Sequence, residues 1–334
     1  MRIAILVNDP GELTPVMTTT LLGWQLARRG HTCLFVGVER LSWGANGPRV
    51  RGNVLPASGT AEQALDRSLD STEIVLDLRP GDVLLLRTNA ARDPERSALH
   101  RAAYAMARIA SDQGVVVLNH PDAIERVGTK LYLLELPERI RPRQVVSAEL
   151  RELLAFAQRE PGPIVMKPLW GTRGDGVYKV DVRSEGAEAL VEVAVALLDS
   201  GPVVAQEYLV DAPAGDTRVL ILDGAVINVG GHRAAVRRVP QPGEFRSNVH
   251  LGASPAAAVW TPELTEAVAT VGSWLLAAGV FLAGADVVGG KLVEVNVAAP
   301  GGVLNAEQFE QVDFLGAICD AIERQVGGPA RASA

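Results

Sequence analysis

The chain has 334 residues, of which 48% are hydrophobic and 21% are charged, and its formal net charge is −7. This composition is typical of a folded globular protein with a core large enough for two or three packed units, and it excludes an intrinsically disordered chain. The acidic balance gives no general attraction to nucleic acid or to an anionic membrane. Basic groups that handle an anionic ligand would therefore have to converge locally.

The cysteines and the amino terminus indicate the cellular compartment. Cys33 and Cys319 lie far apart in the sequence and outside any Cys-x-x-Cys pair, so we expect a reducing compartment and neither a disulfide framework nor a structural zinc site. The apolar residues 1–7 end at Asn8-Asp9-Pro10, which is too short for a signal peptide and predicts a buried strand. No apolar run approaches the roughly 20 residues of a membrane helix. We expect a cytoplasmic protein without a membrane or nucleic-acid partner.

The first 120 residues alternate strand and helix patterns. Continuous apolar runs separated by helices predict an α/β domain with a parallel sheet covered on both faces. Asn119-His120-Pro121 predicts the exit from this domain, residues 1–120. The expected elements are strands at 2–8, 32–38, 83–86 and 115–118 and helices at 15–29 and 95–111.

Two further units follow, a central one at residues 121–207 and a carboxyl-terminal one at residues 208–327, with a small polar tail at 328–334. In the central unit we expect helices at 124–135, 147–158 and 185–199 and strands at 141–146, 163–167, 176–182 and 203–207. In the last unit we expect helices at 262–278 and 309–325, a polar loop at 239–254, and strands at 217–223, 225–230, 281–288 and 291–297.

The strand Val293-Glu294-Val295-Asn296-Val297 carries the most informative polar pattern. Alternate residues share one face of a strand, so Glu294 and Asn296 point the same way while the valines point into the core. Asp286 lies on the preceding strand of the same predicted hairpin and can come alongside them. Such oxygen ligands, completed by nucleotide phosphates, suit magnesium in a phosphoryl-transfer site. The plainer alternative is a polar pair on a solvent-facing strand.

A second pattern is a strand that ends in Lys167 and runs into a loop with Gly171, Gly174 and Gly176. The glycines allow close backbone approach to phosphates, and the lysine adds positive charge. The spacing is neither that of the P-loop nor that of the dinucleotide fingerprint, and an ordinary β-turn explains the loop equally well. Lys130, on a predicted helix, becomes informative only together with Lys167.

A third group of polar residues begins at a strand end. Gln206-Glu207-Tyr208-Leu209 leads into a linker, where backbone groups can meet an adenine edge. Asp216 suits ribose hydroxyls, and Arg218 offers a planar fork to a phosphate or carboxylate. The basic stretch 237–248 adds positive charge, although a solvated surface turn would also explain it.

Taken in chain order, these segments resemble the ATP-grasp superfamily, and within it the bacterial glutathione synthetases and the ribosomal-protein glutamate ligases, from residue 1 to about residue 325. The resemblance implies an ATP-grasp α/β fold, in which an N-terminal parallel-sheet domain precedes two α+β subdomains that clasp ATP. The amino-terminal part, including Asn8-Asp9-Pro10 and Arg87, is more similar to the synthetases. The loop 243–248 is more similar to the glutamate ligases.

The resemblance implies an ATP-dependent ligase that activates a small-molecule carboxylate as an acyl phosphate and joins it to an amine acceptor; it leaves formation of a homo-oligomer open. It assigns ATP contacts to Lys130, Lys167, Gly171, Gly174, Gly176, Gln206, Glu207, Tyr208, Leu209 and Asp216. It assigns two magnesium ions, with manganese as a substitute, to Asp286, Glu294 and Asn296. It assigns the transferred phosphoryl group and the tetrahedral intermediate to Arg218, Arg238 and Asn248.

Two departures from the family pattern leave details open. An insertion-like stretch, 234–236, lengthens the approach to Arg238, so Arg233 or Arg237 is an alternative for its role. The segment 298–302 has alanine and glycine where serine or threonine is common, so contacts with the acceptor can differ. Two alternative functions follow: an amino-acid or peptide-tailoring ligase of secondary metabolism with another donor, or a non-catalytic nucleotide-binding scaffold.

Overall fold

The computed structural model describes residues 1–171, 174–248 and 251–327. The amino-terminal part has helices α1 (Thr18–Arg28), α2 (Ala61–Leu69) and α3 (Ser97–Asp112). Its strands are β1 (Arg2–Val7), β2 (Thr32–Gly37), β3 (Leu41–Gly44), β4 (Gly47–Val54), β5 (Ile74–Asp77), β6 (Val83–Leu86) and β7 (Val116–Leu118). They form one sheet of order β3-β4-β2-β1-β6-β7, with β5 paired to β4.

The centre of this sheet is parallel, as predicted, because β1 pairs in parallel with both β2 and β6, and β6 with β7. These strands are almost entirely buried, which is why their sequences are continuously apolar rather than alternating. The antiparallel extension β3–β5 was not predicted. The dipeptide Asn46-Gly47, at the turn from β3 into β4, was the available hairpin signal.

The central unit begins with α4 (Pro121–Val127) and a 3₁₀ segment, Lys130–Glu135. Its helices are α5 (Leu150–Arg159), α6 (Val182–Glu185) and α7 (Ala187–Leu198). Its strands are β8 (Gln144–Ser147), β9 (Ile164–Pro168), β10 (Tyr178–Val180) and β11 (Val203–Glu207). They form an antiparallel sheet of order β10-β9-β11-β8, which shares a core with α5 and α7.

The single helix predicted for residues 124–135 is wrong. The α-helix ends at Val127, and Thr129 takes an extended conformation with φ −107° and ψ 156°. Gly128 and the β-branched Thr129 have low helix propensity, and the pattern of apolar residues alone did not reveal this break. Lys130 therefore starts a 3₁₀ segment, and its side chain is buried instead of facing solvent.

The carboxyl-terminal unit has helices α8 (Pro262–Ala277), α9 (Val303–Glu310) and α10 (Phe314–Gly327). Its strands are β12 (Asp216–Leu222), β13 (Ala225–Val226), β14 (Asn228–Val229), β15 (His232–Arg233), β16 (Ala235–Val239), β17 (Ser254–Ala257), β18 (Leu282–Val288) and β19 (Lys291–Asn296). The main sheet has the order β17-β16-β12-β18-β19, and each neighbouring pair is antiparallel.

The single helix predicted at 309–325 is also wrong. Gln311 adopts the left-handed conformation, with φ 56°, and separates α9 from α10. Helix α10 packs on α1, so that Phe314 and Ile318 share a core with Leu22 of the amino-terminal part. The carboxyl terminus therefore contributes to the amino-terminal core. The predicted tail, 328–334, lies outside the described residues.

Asn119 ties the amino-terminal part to the carboxyl-terminal sheet. Its side-chain nitrogen donates to the carbonyl oxygens of Leu282 at 2.8 Å and Val297 at 2.6 Å. Its side-chain oxygen accepts from the backbone N–H groups of Phe281 and Leu282, both at 2.8 Å. Both donors and both acceptor positions of this buried amide are thus used, which holds the ends of β18 and β19 in place.

Candidate active site

A cleft that opens to solvent lies between the central sheet and the carboxyl-terminal sheet. Its described walls combine basic, acidic and apolar side chains. Among the predicted residues, those that line it are Lys130, Lys167, Gly171, Gly174, Gln206, Glu207, Tyr208, Leu209, Asp216, Arg238, Asn248, Asp286 and Glu294.

Three predicted residues are placed outside the cleft lining. Gly176 has φ +67°, and a Cβ there would lie 3.2 Å from Pro168 Cδ. Glycine is therefore favoured at this position by backbone conformation and by close packing against Pro168. Arg218 lies behind Asp286 and contacts the cleft through that carboxylate. Asn296 lies on β19 opposite Gly284, two residues beyond Glu294.

The acidic pair predicted as metal ligands comes together across two strands. Asp286 of β18 and Glu294 of β19 are direct partners in the antiparallel register. No group of three or more His, Cys, Asp or Glu side chains that could hold a metal ion occurs within the described ranges. Carboxylate oxygens such as those of Asp286 and Glu294 are ligands that a hard divalent cation prefers, and in this structure both Asp286 oxygens accept hydrogen bonds from Arg218.

Asp286 is the centre of a buried ionic network. Arg218 donates to its two oxygens from Nε and Nη2, both at 2.7 Å, and Arg238 reaches it from Nη2 at 2.7 Å. Arg238 also forms a two-pronged pair with Asp216, with Nε to Oδ1 at 2.7 Å. Planar guanidinium groups suit such bidentate contacts. The network therefore places the positive charges of Arg218 and Arg238 beside Asp286, next to Glu294.

Burial and charge act in opposite directions on this network. Burial pushes the pKa of Asp286 upward, but Arg218 and Arg238 outweigh it and hold the pKa below its ordinary value. Burial, and then repulsion from Asp286, raises the pKa of Asp216 to about 6. Burial would lower the pKa of Arg238, but attraction to Asp286 and Asp216 raises it. Arg238 therefore stays charged, and Asp286 stays ionised.

Two buried lysines face the same cleft. Lys130 Nζ donates to the carbonyl oxygens of Leu169 and Gly171, each at 3.4 Å, and Lys167 Nζ donates to Gln206 Oε1 at 3.0 Å. Burial, and then the charge of Lys130, lowers the pKa of Lys167 to about 8, while Glu294 acts in the opposite direction. Burial also lowers the pKa of Lys130. Both pKa values are poised to rise when an anion enters the cleft.

The strand end at residues 206–209 forms the apolar end of the cleft. The carboxylate of Glu207 is occupied by Arg143, whose backbone N–H donates to it at 2.9 Å, and the Glu207 backbone N–H donates to the Arg143 carbonyl oxygen at 2.9 Å. The ring of Tyr208 packs edge-on against Phe245 at 5.9 Å between centroids, and Lys179 lies 4.1 Å above it. The apolar lining is completed by Val165, Val177, Val288 and Val293.

The three arginines Arg233, Arg237 and Arg238 make different contacts. Arg233 stacks on Trp260 at 3.7 Å, and Arg237 donates to the carbonyl oxygen of Ala214. Among the three arginines left open by the sequence, Arg238 is the one that lines the cleft and contacts Asp286.

The loop 241–248 contacts the glycine-rich loop of the central unit. Arg246 Nη1 donates to the carbonyl oxygen of Gly174 at 3.4 Å, and a Cβ on Gly174 would lie 2.5 Å from Asn248 Oδ1. Hydrogen bonds from Arg246 lower the pKa of Glu244 to about 2, so this pair stays ionised. The two loops therefore meet over the cleft.

Several lining or supporting residues were missed by the sequence reasoning. Arg246, Phe245 and Ser247 line the cleft from the loop that had been recognised only as basic. Tyr132 accepts a hydrogen bond from the backbone N–H of Val295, the residue between Glu294 and Asn296. Gln144 accepts from Gln206 at 2.9 Å, and no pattern in the sequence indicated this contact.

An amino-terminal sheet followed by two α+β units that enclose a lysine- and carboxylate-lined cleft defines an ATP-grasp ligase. The sequence model described as "Prokaryotic glutathione synthetase, ATP-grasp domain" matches residues 129–311, and the model of the corresponding N-terminal domain matches residues 1–125. The chain belongs to the prokaryotic glutathione synthetase family.

Relatives and solved structures agree with this membership. The glutathione synthetase of Parasynechococcus marenigrum (strain WH8102) is 36% identical over 230 residues, which cover 69% of this chain and 71% of the relative. That of Brucella melitensis is 29% identical over 321 residues, 95% of each chain. The fold matches the ATP-grasp ligase PsnB complexed with a minimal precursor, with TM-score 0.62, 21% identity and coverage of 96% and 98%. It also matches D-cycloserine synthetase DcsG, with TM-score 0.64, 18% identity and coverage of 97% and 99%.

The protein is an ATP-dependent ligase that forms a carbon–nitrogen amide bond. ATP-grasp glutathione synthetases use ATP together with a divalent metal. Within the described residues, no helix is both long and apolar enough to cross a membrane.

Proposed function

We propose that the enzyme joins the carboxylate of γ-glutamylcysteine to the amine of glycine, which yields glutathione, with ATP and two magnesium ions. The observation that carries this proposal is the meeting of Asp286 and Glu294 with Lys130 and Lys167 in one cleft, in a chain 36% identical to a glutathione synthetase. Residues 1–120 would help to bind the two substrates, and the units at residues 121–207 and 208–327 would enclose ATP. The reaction would take place in the cytoplasm.

The metal ions would be held by Asp286, Glu294 and Asn296. The first two face each other in register, and Asn296 follows Glu294 on the same strand face. Magnesium bound there would neutralise charge on the β- and γ-phosphate oxygens. Manganese uses the same oxygen ligands and would substitute.

ATP would lie with its phosphates toward the lysines and its base toward residues 206–209. Lys130 and Lys167 supply positive charge from the central unit, and the backbone of Gly171 and Gly174 leaves room for close approach. The backbone of Glu207 and Leu209 would meet the adenine between apolar walls, and Asp216 would meet the ribose. Because Asp216 is paired with Arg238, its contact with the ribose requires that it keep one oxygen lone pair free.

In the first chemical step, a donor carboxylate oxygen attacks the γ-phosphorus of ATP. The new oxygen–phosphorus bond forms as the bond to ADP breaks, and the product is an acyl phosphate. The acceptor amine then attacks the acyl carbon, loses a proton, and expels phosphate. Arg238, which lines the cleft, would stabilise the charge that develops in both steps, and Arg218 would act through Asp286 from behind it. Asn248 would add an amide donor at the loop.

Acyl phosphates hydrolyse, so water must be excluded during the reaction. The contact of Arg246 with Gly174 and the close approach of Asn248 to the same glycine bring two loops together over the cleft. We propose that these loops close on the bound substrates. Their joint position is what supports this role.

The test is coupled ADP release from the purified chain with ATP, magnesium, and panels of carboxylate donors and amine acceptors. We expect turnover with γ-glutamylcysteine and glycine, and a product mass equal to glutathione. Turnover with another pair alone would replace these substrates while leaving the ligase chemistry intact. Nucleotide binding without turnover for any pair would contradict the proposal and favour a scaffold. Glu294→Gln is the matched inactive control.

A further inference from the structure

Arg87 is a buried cation that the phosphoryl-transfer chemistry does not use. It follows β6 directly, and its backbone N–H donates to the carbonyl oxygen of Leu6 at 2.8 Å. Only 6% of the residue is exposed. Its Nε donates to Thr19 Oγ1 at 3.0 Å and its Nη2 to the carbonyl oxygen of Pro300 at 2.9 Å. Both partners are neutral, so its charge is not compensated by them.

The other buried cations of the described residues are placed differently. Lys130 and Lys167 each feel the attraction of Glu294, and Arg238 is bonded to Asp216 and Asp286. For Arg87, burial alone lowers the pKa, to about 10, and no carboxylate opposes it. The group remains protonated at neutral pH. A buried charge without a counter-ion is costly unless a ligand supplies the opposite charge.

The position of Arg87 in the sheet is where an open α/β sheet binds its ligand. From β1 the chain crosses to β2 on one side, whereas β6 pairs with the other side of β1 and leads on to β7. The carboxyl ends of β1 and β6 therefore flank a topological switch point, and ligands bind in the crevice there. Asn8 after β1 and Asn89 after β6 are joined across this crevice by hydrogen bonds of 2.7 and 3.0 Å.

Helix α1 adds a second positive element at the same point. Its first turn contains Thr19, which contacts Arg87, and Met17, the residue before the helix, makes no side-chain capping hydrogen bond. The free N–H groups of a first turn attract anions. The side chain of Arg87, which follows β6, and the first turn of α1 therefore lie together at the switch point.

The crevice lies next to the phosphoryl-transfer site, and Pro300 contacts both. A Cβ on Gly284 would lie 3.4 Å from both Arg218 Cδ and Pro300 Cβ, so these two side chains pack beside each other. Arg87 holds the carbonyl of that same Pro300. A ligand on Arg87 would therefore lie next to, and not within, the site where Arg218 and Asp286 act.

We propose that Arg87, with Thr19 and the first turn of α1, forms a subsite for a substrate carboxylate that is not the one activated by ATP. This proposal rests on the proposed ligase function. It specifies that the amino-terminal domain recognises a carboxylate of a substrate. Either substrate can supply the group: the α-carboxylate of a γ-glutamyl donor or the carboxylate of an amino-acid acceptor. The subsite binds the non-reacting carboxylate of the substrate, while the reacting groups lie in the neighbouring cleft beside Asp286.

A binding experiment tests the subsite without turnover. We would follow thermal unfolding in sodium acetate, with acetamide as the neutral analogue and chloride at equal ionic strength. Acetate is expected to raise the Tm of the wild type by about 2–4 °C, as weak-ligand linkage predicts for a large domain, and to leave Arg87→Met unchanged. The control Arg49→Met, which removes an exposed arginine paired with Asp77, should respond like the wild type. Equal effects of acetate on wild type and Arg87→Met would overturn the proposal.

A kinetic experiment identifies which substrate supplies the carboxylate. Each substrate would be compared with its carboxamide, namely glycinamide for the acceptor and the α-amide for the donor. In the wild type, kcat/KM is expected to fall about 10²-fold for one of the two, the range of a lost charge-assisted pair. In Arg87→Met the same exchange should change kcat/KM less than about threefold, because the partner is already gone. Wild-type discrimination retained in Arg87→Met would contradict the subsite.

The two experiments separate the failure of this inference from failure of the ligase proposal. If no donor and acceptor pair turns over, the acetate experiment still decides whether Arg87 binds a carboxylate. If Arg87→Met does not fold, Arg87→Lys and Thr19→Val take its place. Lys keeps the charge without the planar fork, so Arg87→Lys should lose about tenfold of the discrimination. Full discrimination in both of these variants would overturn the proposal.

Discussion

Asp286→Asn tests whether the buried network is as interdependent as its geometry indicates. Asp286 is 2% exposed, and its carboxylate accepts from Arg218 and Arg238 at 2.7 Å. The substitution keeps the shape but leaves the buried guanidinium group of Arg238 and the partly buried one of Arg218 with Asp216 as the remaining carboxylate of the network. Removing one partner of a buried pair costs about 3–5 kcal/mol. At about 2–4 °C per kcal/mol for a large domain, Tm should fall by roughly 6–20 °C.

The assay is thermal unfolding followed by tryptophan fluorescence, together with ADP release. We expect ATP without metal to raise the Tm of Asp286→Asn more than that of the wild type, because the triphosphate replaces the missing negative charge. Asp77→Asn is the control, since Asp77 pairs with the exposed Arg49 and surface pairs contribute about 0–1 kcal/mol. A Tm within 2 °C of the wild type for Asp286→Asn would refute the assignment of Asp286 as the essential counter-ion.

Three further predictions concern turnover. Arg218→Ala should lower kcat by about 10²–10³-fold, the effect of losing one preorganised charge-stabilising donor; unchanged kcat in a folded variant would remove Arg218 from the mechanism. Glu294→Gln should abolish ATP use with an unchanged circular dichroism spectrum, and ADP release at the normal rate would show that the metal assignment is wrong. The pKa of Lys167, lowered to about 8 by burial, predicts that ATP affinity falls as pH rises above 8, because the anion binds the protonated lysine. The fall should approach tenfold per pH unit, measured by titration of ATP binding, and should vanish in Lys167→Arg, whose charge does not titrate there; a flat wild-type profile would contradict it.

Local sequence patterns determined the parallel strands of the amino-terminal sheet and the order of the site segments, but not the helix breaks at Thr129 and Gln311. The continuous apolar residues of β1 predicted a parallel, fully covered sheet because both faces of such a strand are buried. The alternation of Glu294 and Asn296 predicted a shared face because the side-chain period of a strand is two. These are properties of a few consecutive residues, so no knowledge of distant segments was needed.

Only the tertiary structure decided which charges are paired. Arg238 contacts Asp286, 48 positions away in the chain, whereas Arg237 on the other face of the same strand contacts Ala214. The Glu207 carboxylate is paired with Arg143, 64 positions away in the chain. Arg87 has no carboxylate partner at all among the described residues. Each outcome depends on the register of strands that are far apart in sequence, because ion pairing is set by the packing of whole sheets and not by residue type.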